Sequence, residues 1–472
     1  MASMFSRVPI EIVQHILSGA CLDQLTAIAQ TSARFYSLAK SDRILWTSCT
    51  DHYKLPLPTG HTVHTVPVES LFRLALRACS IERALEQPMV EPKRWAILPP
   101  SEDDRLPDNV LVPGGGWTLY YTAEEMRFHD MRKAPIDDGV LVKSIGEPKY
   151  FHVVSDILGE GNVRCVQRIS APDKQAGEDI ARILDIRFPD SADTSNDTPS
   201  PYLLSEPVSF IGIHRLEDVR GPLILAVRRD PDADTVLVIN SQTLAGSAIT
   251  IEGFEEEWFD IESARFHPSL RKIVLEITTV RESDHELMSA IWLLEIPDSV
   301  PSQQLGEPMG LYQTITWTES RAKPTHQFTL PFEWSADITE RKEVPPNFVP
   351  IHEFVIHMDR EIGYTYVFVS LCLSTEGSLV PLPLGTVDGP WLFSRDKGKA
   401  IGMQWFSEEL VDIVYSGLSG RKMTQVTFKL PEDKQFRGPG AFRHFSPSYG
   451  QLFLEKEPEG QYDDWPCFFV QY

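Results

Sequence analysis

The chain has 472 residues, long against a prior of ~150 per domain, with hydrophobic residues at 42% and charged residues at 24%, the composition of a soluble globular protein with ample apolar surface to bury. Its formal net charge of -23 is placed unevenly: residues 1–94 hold 10 Lys and Arg against 8 Asp and Glu, and the remainder holds 34 against 59. So acidic a surface repels phosphate backbones and argues against general nucleic-acid binding, and no apolar run approaches the ~20 residues of a membrane helix.

The first stretch with a strong pattern is 8–46. Pro9 stands where a helix can start without losing a needed donor, and Ile10, Val13 and Leu17 recur on one face. Ile12 and Ile16 form a second apolar row one turn apart. A helix this short with two apolar faces has more to bury than a few small helices of one chain can cover, so it calls for a partner. Downstream, Leu22, Leu25 and Ile28 share a face, and Ser32 can cap a turn that points Phe35, Leu38 and Ala39 inward. Asp42 is a natural N-cap for a helix carrying Leu45, Trp46 and Cys49.

Read together, Val8-Pro9-Ile10-Glu11, the downstream Ile16-Leu17, Leu22-Asp23-Gln24-Leu25, Ser32-Ala33-Arg34-Phe35 and Asp42-Arg43-Ile44-Leu45-Trp46 resemble the F-box, over roughly the first tenth of the chain. Val8 departs from the Leu usual in that family, a loss of one methylene costing about 1 kcal/mol or less. The resemblance implies docking on a Skp-type adaptor and, through it, on a cullin scaffold within a ubiquitin ligase. It also implies that Val8, Pro9, Ile12, Ile16, Leu22 and Leu25 face the adaptor, while Trp46 stays in the internal core. The bland alternative is a helical cap packed on its own chain.

Residues 54–67, with Pro56, Pro58, Gly60 and Pro67, read as loop, and His61 and His64 there as exposed loop residues with no third metal ligand nearby. A strong helix follows at 69–86: Leu71, Leu74, Ala75, Ala78, Ile81 and Leu85 keep helical spacing, and Gln87-Pro88 ends it. It reads as a rigid link. The expected division is thus a helical domain at 1–54, a linker loop and connecting helix at 55–90, and a β-rich domain at 91–472.

From about Arg94 the texture changes. Short runs rich in Val, Ile, Leu, Phe, Tyr and Trp are punctuated by Pro, Gly, Asp and Ser, among them 117–121, 126–129, 162–169, 180–188, 223–227, 235–239, 272–279, 348–358, 364–373, 410–415 and 468–472. This pattern predicts a large all-β domain after a small all-α one, α+β as a whole. Gly116-Trp117-Thr118-Leu119-Tyr120-Tyr121 followed by Met126-Arg127-Phe128-His129-Asp130 resembles the centre and end of a WD-type propeller blade, and similar doublets recur at 223–239 and 271–296. Arg265-Phe266-His267-Pro268-Ser269 and Arg443-His444-Phe445-Ser446-Pro447-Ser448 look like one repeated turn. The echoes are degenerate and lack the full Gly-His and Trp-Asp signature. At ~40 to 50 residues per blade the region holds six to eight blades, with seven expected. Ring closure would remove exposed sheet edges and would place Phe468-Phe469-Val470 beside Trp95-Ala96-Ile97-Leu98; two β-sandwiches in series are the competing architecture. Residues 189–201 read as a surface loop, 253–258 as a solvated acidic turn, and 319–346 as a cover for one face.

Catalytic motifs are near misses. His352-Glu353-Phe354-Val355-Ile356-His357 has one residue too many for a zincin helix and lies in a β-rich run that puts its histidines on opposite sides. Gly417-Leu418-Ser419-Gly420 is one residue short of a nucleophile elbow, and Gly114-Gly115-Gly116 reads as a hairpin turn, not a phosphate cradle. Six scattered cysteines suggest neither disulfides nor zinc, but reduced, mostly buried side chains. No catalytic residue, metal or cofactor is therefore assigned. Arg7, Pro9 and Glu11 interrupt any signal-peptide core, so a cytoplasmic or nuclear address is expected. The function these readings support is a non-catalytic substrate receptor, with an unknown protein target on the β-rich domain; the rival is a propeller enzyme or small-ligand binder regulated through its N-terminal box. Basic doublets at Arg228-Arg229, Arg271-Lys272, Arg341-Lys342 and Arg421-Lys422 read as solvated turns beside strands, with a shared phosphate pocket as the sharper alternative. Trp258, Trp334, Trp391 and Trp405 are candidates for a hydrophobic hot spot.

Overall fold

A computed structural model describes residues 8–98, 110–121, 125–133, 137–143, 152–170, 179–189, 200–213, 215–229, 234–252, 259–280, 287–297, 315–330, 344–345, 347–359, 364–396, 398–417, 421–432, 440–456 and 467–472. Five helices come first: α1 (Ile10–Leu17), α2 (Leu22–Ala29), α3 (Ala33–Ser41), α4 (Arg43–Thr47) and α5 (Val68–Leu85). The caps fall where the sequence puts them, with the Ser32 hydroxyl accepting from Phe35 N at 3.3 Å and the Asp42 carboxylate from Ile44 N at 2.9 Å. One core joins Leu22, Leu25 and Ala29 of α2, Ala39 of α3 and Trp46 of α4 to Leu71, Phe72, Leu74, Ala75 and Ala78 of α5. The Trp46 indole is fully buried and donates to Ala39 O at 2.8 Å. Helix α5 is therefore a member of the helical core as well as a link.

The rest is a seven-bladed β-propeller. Strand β1 (Arg94–Leu98) precedes blade 1, which holds β2 (Val110–Leu111), β3 (Trp117–Tyr121), β4 (Glu125–Asp130) and β5 (Asp137–Lys143). Blade 2 has β6 (His152–Gly159), β7 (Asn162–Ser170), β8 (Asp179–Arg187) and β10 (Val208–Ile213), with the short β9 (Tyr202–Leu203) also on β8. In blade 3 are β11 (Arg215–Arg220), β12 (Leu223–Arg228), β13 (Thr235–Asn240) and β14 (Ala245–Ile251). Blade 4 has β15 (Phe259–Phe266), β16 (Lys272–Val280) and β17 (Leu287–Glu295); the chain then lays β18 (Thr316–Ala322) parallel on the edge of blade 3 before β19 (His326–Thr329) completes blade 4. Of the stretch 319–346, expected as a cover for one face, residues 319–322 and 326–329 lie in these two edge strands, and 331–343 and 346 lie outside the described residues. Blade 5 shows β20 (Val349–Asp359), β21 (Tyr364–Leu373) and β22 (Leu379–Asp388), and blade 6 has β23 (Leu392–Asp396), β24 (Lys399–Trp405), β25 (Leu410–Tyr415) and β26 (Thr424–Lys429). Blade 7 combines β27 (Gly440–Ser446), β28 (Gln451–Lys456) and β29 (Cys467–Gln471) with β1.

Closure occurs where expected. Strand β1 pairs antiparallel with β29, Trp95 opposite Val470 and Ile97 opposite Phe468, so the two ends of the β region make one sheet. A buried apolar cluster fills each junction between neighbouring blades, seven in all, including Leu98, Phe453 and Phe469 between blades 7 and 1. The repeated turn is real: 267–271 and 447–450 each connect the first two strands of a blade.

Polar staples join neighbouring blades. Asp156 of β6 accepts from Gly221 N at 2.6 Å, Glu217 and Asp218 of β11 accept from Ala264 N and Phe266 N at 2.9 and 2.8 Å, and Glu353 of β20 accepts from Ala400 N at 3.1 Å. Part of the acidic excess is thus spent on backbone donors that a blade junction would otherwise leave buried and unpaired.

The helical unit sits on the ring face formed by these first-to-second-strand turns. Gly161 N donates to Gly60 O at 3.0 Å, the Tyr449 hydroxyl donates to Leu57 O at 2.8 Å, and a Cβ added at Gly60 would lie 2.3 Å from Gly161 C. Residues 55–66 are therefore a largely buried gasket: of the two histidines expected exposed, His61 is 4% exposed and His64 alone faces solvent. The last turn of α5 inserts Ile81 and Leu85 into the core between blades 6 and 7, and Val90 then bridges to Phe428 on the edge of blade 6.

Candidate partner-binding face

Helix α1 presents a stripe of apolar side chains that its own chain leaves uncovered. Val13 is its one buried residue, packed with Leu38 and Leu45 and with Val8, Leu17 and Phe35 around them. Ile10 is 45% exposed, Ile12 50% and Ile16 62%, and Ile44 on α4 adds a fourth isoleucine at 62%. Bringing a half-exposed isoleucine fully out of water is worth about 1 kcal/mol, so the four together represent several kcal/mol of unclaimed burial. Polar contacts fix the helix beneath them: the Gln14 amide donates to Asp42, and the Arg34 guanidinium donates to Val8 O. Arg43 extends the frame, donating to Val63 O and Val66 O at 2.5 and 2.6 Å.

The six residues expected to face a partner divide. Pro9, Ile12 and Ile16 are exposed and Val8 is half-buried, all on or beside α1. Leu22 and Leu25 are 1% and 4% exposed and belong to the helical core. The reason is α5, whose apolar stripe packs on the face of α2 that carries them. Ile10, expected to share a face with Val13 and Leu17, and Ile44 were not among the six; Ile10 lies exposed although Val13, three residues on, is buried.

Elsewhere the candidates separate. The doublets at Arg228 and Arg271 lie at opposite ends of their blades, one at the end of β12 and the other before β16, and Arg421 belongs to blade 6, so the described doublets share no pocket. Arg229 pairs with Asp260 and Lys272 with Glu295. Arg341 and Lys342 lie outside the described residues, as do Trp334, most of 189–201 and all of 253–258, Trp258 included. Trp391 is buried and Trp405 packs against the core of blades 6 and 7. His352 and His357 take opposite sides of β20, the first buried and the second exposed. Among the described residues no cluster of three His, Cys, Asp or Glu side chains could hold a metal ion. Burial pushes the Cys49 and Cys165 thiols up to about 12 and Cys372 up to about 11, keeping all three protonated and poor nucleophiles at neutral pH. Among the described residues no helix is long and apolar enough to cross a membrane.

No protein-family model matches the chain, and no curated protein matches it. Among solved structures it is similar to a chain of a crystal structure of the mitotic checkpoint complex, with 10% identity over 81% of this chain and 92% of that one and a TM-score of 0.35. It is also similar to an acylaminoacyl peptidase of Pyrococcus horikoshii, with 10% identity over 65% of this chain and 43% of that one and a TM-score of 0.32. A sialidase of Trypanosoma rangeli in complex with sialic acid gives 8% identity over 80% and 57% and a TM-score of 0.30.

Proposed function

We propose that this chain is a substrate-recognition adaptor of a cullin-based ubiquitin ligase, docking a Skp-type adaptor through α1 and its neighbours and holding a protein target on the propeller. The observation that carries the reading is the isoleucine stripe on α1: a helix with one buried residue, pinned by Gln14 and Arg34, that keeps Ile10, Ile12 and Ile16 in water. Such a surface is costly to leave bare and fits a hydrophobic groove on a second protein. It lies where the F-box resemblance falls. The chain's own contribution is then rigid placement, with no chemical step assigned to it.

The test is co-purification with a Skp-type adaptor. Pro9→Ala together with Ile12→Asp is expected to abolish capture, at least about a hundredfold in Kd, because a carboxylate would be desolvated at the centre of the contact. Both residues are exposed, so the thermal transition should be unchanged. Capture undiminished by the double change would reject the assigned face.

A further inference from the structure

A second apolar surface stands at the far end of the ring. Among the most exposed large apolar side chains are Phe406 at 71%, Leu392 at 60% and Tyr364 at 57%, and these three belong to blades 5 and 6. They are neighbours. Gly389 N donates to Tyr364 O at 2.9 Å, a Cβ at Gly389 would lie 3.1 Å from the Gln404 amide, and Leu392 pairs with Met403, three residues before Phe406. Strand β25 fixes the direction: one end leads to Gly417, which lines the cleft against Tyr53 and Lys54 of the helical unit, and the other end is the turn carrying Phe406. The patch therefore faces away from α1. Aromatic packing stiffens it from below, with Tyr366 4.6 Å from Phe393 and 5.2 Å from His357, which itself lies 5.4 Å from Tyr364.

Charge limits what can sit there. The turn reads Phe406-Ser407-Glu408-Glu409 with both glutamates exposed, Asp388 is exposed at the end of β22, and the chain beyond residue 94 carries 59 acidic against 34 basic residues. We propose that this patch on blades 5 and 6 docks a basic segment of the target protein, one that seats a large aliphatic or aromatic side chain among Tyr364, Leu392 and Phe406 and sets Lys or Arg against Glu408, Glu409 and Asp388. Cations also gain over exposed aromatic faces, whereas an acidic or phosphorylated segment would meet like charge. The inference rests on the receptor reading above, since it names the surface and chemistry of the target that reading requires.

The test pans a displayed library of random peptides about a dozen residues long against the full chain and, in parallel, against Leu392→Ser with Phe406→Ser. Peptides recovered on the wild type are expected to be rich in Lys and Arg around one large apolar residue. They should bind the double variant at least about tenfold more weakly, and Glu408→Lys with Glu409→Lys likewise, with an affinity that falls as salt rises. All four positions are exposed, and unchanged thermal transitions confirm folding. Recovery of acidic or uncharged sequences, or equal recovery on the wild type and the serine variant, overturns the proposal. Adaptor capture through α1 is measured on the same preparations. Its loss in Pro9→Ala with Ile12→Asp, alongside failed peptide selection, would leave the receptor reading standing and reject this surface alone.

Discussion

At the scale of single residues, the sharpest energetic commitment is the trio of Arg265, His352 and Glu353 between blades 4, 5 and 6. Arg265 donates to Ile351 O at 2.6 Å and to His352 Nδ1 at 3.1 Å, and its guanidinium occupies the space beside Gly398, where a Cβ would meet it at 2.1 Å. The histidine must then be neutral with its proton on Nε2, and burial together with the adjacent guanidinium lowers its pKa from 6.5 to about 3. Unfolding takes up a proton below 6.5 that the folded state refuses, so this contribution is intact above 6.5 and is lost as pH falls toward 3. Glu353, raised by burial, works in the opposite sense as it protonates. Replacing His352 by Gln should therefore flatten the decline in unfolding free energy, measured by urea titration, between about pH 7 and about pH 5, by roughly 2 kcal/mol for one proton. Parallel declines in the two proteins would show that His352 carries no such linkage.

Elements differ in how plainly the sequence declares them. Strands β21 and β25 and the doublets β3–β4, β12–β13 and β16–β17 are apolar runs between turn residues and fall where the pattern puts them. Strand β22 escaped because it contains Pro381, Pro383 and Gly385, residues that ordinarily end a strand, and β14 because Gly246 and Ser247 dilute its start. The prolines make sense once the sheet is seen. Strand β22 is the outermost described strand of blade 5 and pairs on one side only, with β21; two prolines at alternate positions remove two donors from the same side of the strand. Pro381→Val with Pro383→Thr should restore a pairing edge and give concentration-dependent association in sedimentation, with little change in the monomer's melting. The candidate face was half legible for a related reason: α1 shows its exposed isoleucines in eight residues, whereas the burial of Leu22 and Leu25 is decided by a helix that begins at Val68, a contact no local pattern announces.

For the molecule as a whole, closure by β1 on β29 is the long-range event on which the other blades depend. Removing residues 467–472 would delete β29, strand β1 from its sheet, and expose Leu98, Phe453 and Leu454. Such a chain should lose the cooperative melt of the full protein and bind a hydrophobic dye, because the deletion opens the ring and strips two of its seven junctions at once. A melt unchanged by the deletion would mean that the sheet is held without its central strand.

Helix α5 ends inside the wedge between blades 6 and 7, and after an exposed turn at 86–89 the chain is held again at Val90 on blade 6 and then pairs through Trp95 in blade 7. The molecule is consequently a ruler. If the two proposed surfaces are occupied, a partner on the isoleucines at one end and a target on Phe406 at the other would be held apart by a span that side-chain packing sets, free of the entropy of a slack tether. The effective concentration of one guest near the other then depends on that single length, and softening the Gly60–Gly161 contact would alter it without touching either grip.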